Sequence, residues 1–230
     1  MRRNDYLKNS KKNKTIYIIG NGPSLNNFNF EKIYGKDVIT MNYFYLHPKI
    51  SNLNVVAHCL GEPYDCSTWV DPVDIVENTP AETYWFNVSA SEYCIKKFTN
   101  KKLYFYLSGI SETFEVLLDA NLSRPSLEYK STSQMAIMIA MHMGYKEIYL
   151  LGLDHDYLVN RGYAAHFYNE DRENLAIAKA DHSDISYLNM IISMKNLFEI
   201  YEAIKKIAIK KHVKIINLSK PSYLDVFPYK

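Results

Sequence analysis

Seven short apolar stretches, each rich in β-branched or aromatic side chains and most followed by turn-forming residues, constrain this chain more than any other feature. They fall at residues 15–19, 37–41, 54–58, 83–87, 102–107, 147–152 and 213–217. Continuous apolar runs of this length predict strands buried on both faces. Helical periodicity lies between several of them, clearest at 133–143, where Met135, Ile139 and Met143 recur four apart, and at 185–211. Alternating strand and helix predict an α/β fold, a single Rossmann-like domain with a largely parallel sheet flanked by helices.

The bulk properties agree with that expectation. A chain of 230 residues, 47% hydrophobic, buries one substantial core. Residues 1–14 carry Arg2, Arg3, Lys8, Lys11, Lys12 and Lys14 and predict a flexible basic arm, leaving 15–230 as the folded domain. A net charge of +2 gives no general nucleic-acid footprint. Cys59, Cys66 and Cys94 are odd in number without metal-type spacing, so reduced thiols and a cytoplasmic location are expected. Residues 155–183 are polar, bear Tyr and His, and lack periodicity, which predicts a lid inserted between a strand and a helix.

The first strand runs into Gly20-Asn21-Gly22-Pro23-Ser24-Leu25. Leu25 stands where a dinucleotide fingerprint needs its third glycine, and no Gly-Lys-Ser/Thr ending marks a P-loop. The two glycines still let a ligand approach the backbone, and Asn21 and Ser24 add side-chain donors and acceptors, so a nucleotide site of a third kind is expected. In open parallel sheets ligands collect beyond the carboxyl ends of the strands. That rule brings this loop together with Asn42-Tyr43-Phe44, with Ser131-Thr132-Ser133 and with the loop after Gly152.

Thr132 and Ser133 open a helix, whose first-turn N–H groups face an anion, and Lys130 adds a cation at the same mouth. Asp154, His155, Asp156, His166 and His182 match no standard ligand spacing, so no metal site is predicted. Tyr157 and Tyr163 suit phosphate as neutral donors. His182, at the closing edge of the lid, is the candidate general base, since an imidazole titrates near ~6.5. His47, His58, His142 and His212 lack such a setting and are read as structural.

Taken in order, Gly20 to Leu25, Met41-Asn42-Tyr43-Phe44-Tyr45, Ser131-Thr132-Ser133, residues 143–154 and His182-Ser183 resemble the bacterial sialyltransferases that decorate lipooligosaccharide. Residues 213–219 look like the last strand of that fold and its loop. A wider group shares this core: flagellin-glycosylation accessory factors, capsule-locus glycosyltransferases and pterin pyrophosphokinase-like enzymes. Asp154-His155-Asp156, Ala165-His166-Phe167-Tyr168 and Ser222-Tyr223-Leu224-Asp225-Val226-Phe227 look closer to that wider group.

The sialyltransferase resemblance implies a metal-independent, inverting transfer from a CMP-activated acidic sugar such as sialic acid to a surface glycan. It implies that Asn21, Gly22, Ser24 and Asn42 meet the nucleotide, that Thr132 and Ser133 contact the donor, that Tyr157 and Tyr163 hold the departing phosphate, and that His182 is the base. Lys130 stands where that family carries arginine, and an ammonium lacks the bidentate guanidinium grip. Asp156 is an alternative match to the first phosphate tyrosine, which keeps a second reading open: a Mg²⁺-dependent pyrophosphokinase in which Asp154 and Asp156 hold the metal. A non-catalytic nucleotide- or glycan-binding factor is the third. The expected partners are a nucleotide sugar and a glycan or lipid-linked saccharide acceptor, with no cofactor beyond the donor and no nucleic acid. A peripheral contact with the inner face of the membrane and a homo-oligomer stay open.

Overall fold

A computed structural model describes residues 2–63, 71–110, 119–160, 166–168 and 186–230. Tyr163, His182, Cys66 and most of the expected lid lie outside the described residues. The strands are β1 (Thr15–Ile19), β2 (Asp37–Met41), β3 (Asn54–Leu60), β4 (Tyr84–Asn87), β5 (Leu103–Tyr106), β6 (Ser108–Ile110), β7 (Ser126–Leu127), β8 (Glu147–Leu151) and β9 (Lys214–Asn217). The α-helices are α1 (Pro72–Asn78), α2 (Ser91–Lys97), α3 (Thr132–Met143) and α4 (Tyr187–Lys210).

Seven strands form one sheet in the order β5-β4-β3-β2-β1-β8-β9, and every pair in it is parallel. The chain walks outward from β1 to β5, then returns to the other side of β1 with β8. That reversal places a topological switch point between β1 and β8, where their carboxyl ends part. The alternating strands and helices read from the sequence are therefore present, and the short parallel pair β6·β7 is the addition. It was illegible because Ser126–Leu127 is only two residues long.

All twelve residues of α3 are buried, which makes it a core helix rather than an amphipathic surface one. Its polar members are bonded: Gln134 donates to the Leu197 carbonyl at 2.8 Å and accepts from Lys130 N–H at 2.8 Å. In α4 the buried stripe is Leu197, Ile200, Tyr201, Ile204, Ile207 and Ala208, spaced three or four apart, whereas Leu188 and Ile192 near its start are exposed.

The basic arm requires a correction. Arg2–Leu7 forms a 3₁₀ helix docked on the core, not a flexible tail. Asn4 is buried, and its side-chain amide donates to the carbonyls of Leu122 at 2.7 Å and Phe105 at 2.8 Å. His142 of α3 accepts from Leu122 N–H through Nδ1, so its Nε2–H donates to the Asn4 carbonyl at 2.8 Å. Asn9, Lys11 and Asn13 N–H groups bond the last carbonyls around the end of α3. The charged side chains suggested a solvated segment, while the backbone partners that hold it come from 100 residues or more away in the chain.

Candidate active-site cleft

Beyond the carboxyl ends of β1, β2 and β8 lies a cleft that encloses about 100 Å³, or about 540 Å³ with its open mouth. A small-molecule ligand of ordinary size would therefore seat partly in that mouth. The Gly-rich loop forms one wall, and the loop after β8 is zipped to it: Gly20 N–H donates to the Leu151 carbonyl at 2.8 Å and Gly22 N–H to the Gly152 carbonyl at 2.9 Å. Gly152 turns the chain with φ of +65°, a conformation that favours glycine.

Asp154 locks the two loops. Its carboxylate accepts from Ser24 N–H at 2.9 Å and from the Ser24 hydroxyl. A Cβ at Gly22 would stand 2.5 Å from that carboxylate, so this glycine is dictated by the staple beside it. Burial raises the Asp154 carboxyl above its ordinary value, the two Ser24 bonds lower it in part, and Asp156 raises it further. The C-terminal segment braces the same loop: Ser219 accepts from Leu153 N–H at 3.0 Å, Ser222 donates to the Leu153 carbonyl at 2.7 Å, and Tyr223 N–H donates to the Asp154 carbonyl at 2.8 Å.

The opposite wall is held from beneath by an uncharged histidine. His58 is fully buried; its Nε2 meets the Asn42 carbonyl at 3.1 Å, which can only accept, so Nδ1 takes the Thr40 hydroxyl at 2.7 Å. Burial pushes the His58 imidazole down to about 3, which keeps it neutral. Asn42 is thereby fixed at φ of +50°, and its Oδ1 accepts from the Thr132 hydroxyl at 3.1 Å. Thr132 also accepts from Gly61 N–H at 3.2 Å. Asn21 hangs between the walls: its amide donates weakly to the Met41 carbonyl at 3.3 Å, while its buried Oδ1 has no partner among the described residues.

The third wall is the start of α3. Ser131 is its N-cap residue but makes no side-chain cap; its hydroxyl turns instead to Ser133 at 2.9 Å and Tyr201 at 3.4 Å. Ser133 meets the Tyr201 hydroxyl at 2.6 Å, and Tyr201 meets His155 Nε2 at 2.8 Å. Burial lowers the His155 imidazole to about 4 and raises the Tyr201 phenol, so both are neutral. Tyr157 also lines the cleft, its ring 6.0 Å from that of His155. Of the expected lid, Phe167 N–H donates to the Asn21 carbonyl at 2.9 Å and His166 lines the cleft.

The structure thus brings Asn21, Gly22, Asn42, Thr132, Ser133 and Tyr157 to one cleft. Two expected donor-binding residues sit otherwise. Ser24 is spent on Asp154, and the Lys130 ammonium pairs with Glu128 at 2.6 Å on the surface. An exposed lysine just before α3 takes the carboxylate two residues away, which neither spacing nor composition reveals. Tyr201 was missed as a site residue because it falls on the apolar stripe of α4. The signal was its phenol, a polar tip that needs a partner when buried.

A parallel sheet with a polar cleft at its switch point, walled by a Gly-rich loop and a helix N-terminus, defines an open α/β fold with a candidate ligand site where such folds place one. The chain belongs to the MptE-like family, described as 6-hydroxymethylpterin diphosphokinase MptE-like, whose model matches residues 2–160. No curated protein matches it. Among solved structures, the sialyltransferase CstII from Campylobacter jejuni in complex with cytidine-5'-monophosphate is 16% identical, with a TM-score of 0.53 over 95% of this chain and 85% of that one. The MAf glycosyltransferase from Magnetospirillum magneticum AMB-1 is 15% identical, with a TM-score of 0.59 over 100% of this chain and 37% of that one. The resemblance read from the motifs is borne out in family group and in fold. Among the described residues no helix is long and apolar enough to cross a membrane.

Proposed function

We propose that this chain is a glycosyltransferase whose cleft takes a nucleotide-activated sugar, with a CMP-linked acidic sugar as donor. The observation that carries the reading is the convergence of Asn21, Asn42 and the uncapped start of α3 on one cleft, with the Asn21 Oδ1 buried there and awaiting a donor. The side-chain amides of Asn21 and Asn42 would hold the nucleoside, Gly22 would let it approach the loop, and the α3 N-terminus, which carries a partial positive charge, would face the phosphate. In the transfer, the bond between anomeric carbon and phosphate oxygen breaks with its electron pair on the phosphate. The acceptor oxygen bonds to that carbon and gives its proton to the base, for which His182 remains the proposed residue. The fold shared with CstII and the MAf glycosyltransferase supports the reading.

The test is thermal shift with CMP, UDP, GDP and ATP, each with and without Mg²⁺. CMP at a hundredfold excess over its Kd should add about 2.7 kcal/mol of stability without metal. Stabilisation by ATP with Mg²⁺ alone would refute it and favour a diphosphokinase, the activity in the family's description. In that second reading a metal would need Asp154 and Asp156. Asp154 spends its oxygens on Ser24, and Asp156 accepts from Asn160 at 2.6 Å. The donor set fits a divalent ion poorly, and no step is routed through one.

A further inference from the structure

The cleft poses an electrostatic problem for a phosphate. No Lys or Arg is among the described residues that line it, whereas two carboxylates, Asp154 and Asp156, do line it. Among the described residues a phosphate seated there meets only neutral donors, and the chain from Ser131 through Ser133 and Tyr201 to His155 supplies one.

The His155 backbone sits at φ of +51°, outside the range most side chains adopt, which brings the imidazole against Tyr201. Its Nδ1 is buried and has no partner among the described residues, although His155 lines the cleft. On the far side, Tyr201 has three polar neighbours: His155 Nε2 at 2.8 Å, Ser133 at 2.6 Å and Ser131 at 3.4 Å. Three hydroxyls in series can reverse direction together. With Ser131 donating to Ser133, Ser133 to Tyr201 and Tyr201 to Nε2, the proton of the neutral imidazole must sit on Nδ1.

Resting on the nucleotide reading above, we infer that His155 is a donor to the phosphate of the bound nucleotide, presenting Nδ1–H while Tyr201 holds its Nε2. The imidazole thereby offers an N–H without becoming a cation, which burial against Tyr201 and Phe198 disfavours. His155 is the contacting residue; Tyr201 acts through it and is a positioning residue.

The experiment titrates the full chain with CMP, cytidine and inorganic phosphate by calorimetry. Loss of one hydrogen bond to a charged group predicts that His155→Phe weakens CMP about tenfold and leaves cytidine within about twofold. Tyr201→Phe keeps the buried ring and should weaken CMP several-fold, again sparing cytidine. Nitrogen-15 spectra of the His155 ring read the tautomer directly, with the proton on Nδ1 once CMP is bound. Equal CMP affinity in wild type and His155→Phe, equal losses for CMP and cytidine, or an Nε2–H ring in the complex would each overturn the assignment while the nucleotide reading stands. If the wild type binds none of the three probes, the nucleotide reading falls and the assignment with it.

Discussion

Replacing Asp154 separates a structural carboxylate from a metal ligand, because two substitutions should behave oppositely. Asp154→Ala strips the acceptors from Ser24 N–H and from the Ser24 hydroxyl. An orphaned buried donor costs about 1–3 kcal/mol, and Ser24 is only half-buried, so two together should cost about 3 kcal/mol. For a domain of this size about 1 kcal/mol corresponds to 2–4 °C, so melting should fall by roughly 6–12 °C. Asp154→Asn is different: its Oδ1 can accept from Ser24 N–H while its Nδ2 donates to the Ser24 oxygen, reversing one bond and keeping both. Burial already raises the Asp154 carboxyl, so the fold favours an uncharged group there. The sign follows: a raised native value means stability present at low pH and lost as pH rises from the ordinary 3.8 through the native value. Asparagine, which imitates the protonated acid, should therefore stay within about 1 kcal/mol of wild type at neutral pH and lack that component. Scanning calorimetry on the three proteins without ligand decides it. Equal destabilisation by Ala and Asn, or no change with Ala, would sink the staple.

Two further outcomes are open to measurement. Asn4→Ala should cost about 2 kcal/mol in urea unfolding, since one buried and one part-buried carbonyl lose their donor, and should make residues 1–14 the first site of proteolysis; an unchanged midpoint would refute the docked arm. Burial lowers His47 and His155 to about 4 and His58 to about 3, so the unfolded chain takes up protons that the native state refuses. Stability should fall from pH 7 to pH 5 by about 2 kcal/mol per imidazole, and a flat urea midpoint over that range would contradict their burial.

Much of the fold was legible because each strand buried on both faces must be written in apolar residues. Most of the sheet strands follow from that requirement, while β1 and β8 bury one face and leave Tyr17 and Tyr149 half-buried on the other; α3 follows too, its burial on all sides leaving little room for charge. The cleft was legible where polar and glycine residues follow strands, at Asn21, Gly22 and Asn42, and where hydroxyls open α3, at Thr132 and Ser133. What escaped was the direction of polar side chains. Ser24 reads as a ligand donor until Asp154, 130 residues away, claims it. Lys130 reads as a phosphate cation until Glu128 is seen to neutralise it locally. Tyr201 reads as core until His155 and Ser133 are seen to share its hydroxyl. Such pairings depend on three-dimensional distance, and sequence periodicity reports only which face a residue occupies.

The bracing of the cleft by Ser219, Ser222 and Tyr223 has a consequence for how the protein comes into being. The Gly-rich loop meets a partner loop 130 residues further along the chain, and that partner loop is clamped in turn by residues 66–69 positions beyond it. Non-local contacts of this kind form after the local ones, once the entropy of closing the intervening loops has been overcome. A partly synthesised chain can pair β1 to β5 long before it owns a finished cleft. The cleft is thus completed only once β8, β9 and the segment after them have joined the sheet.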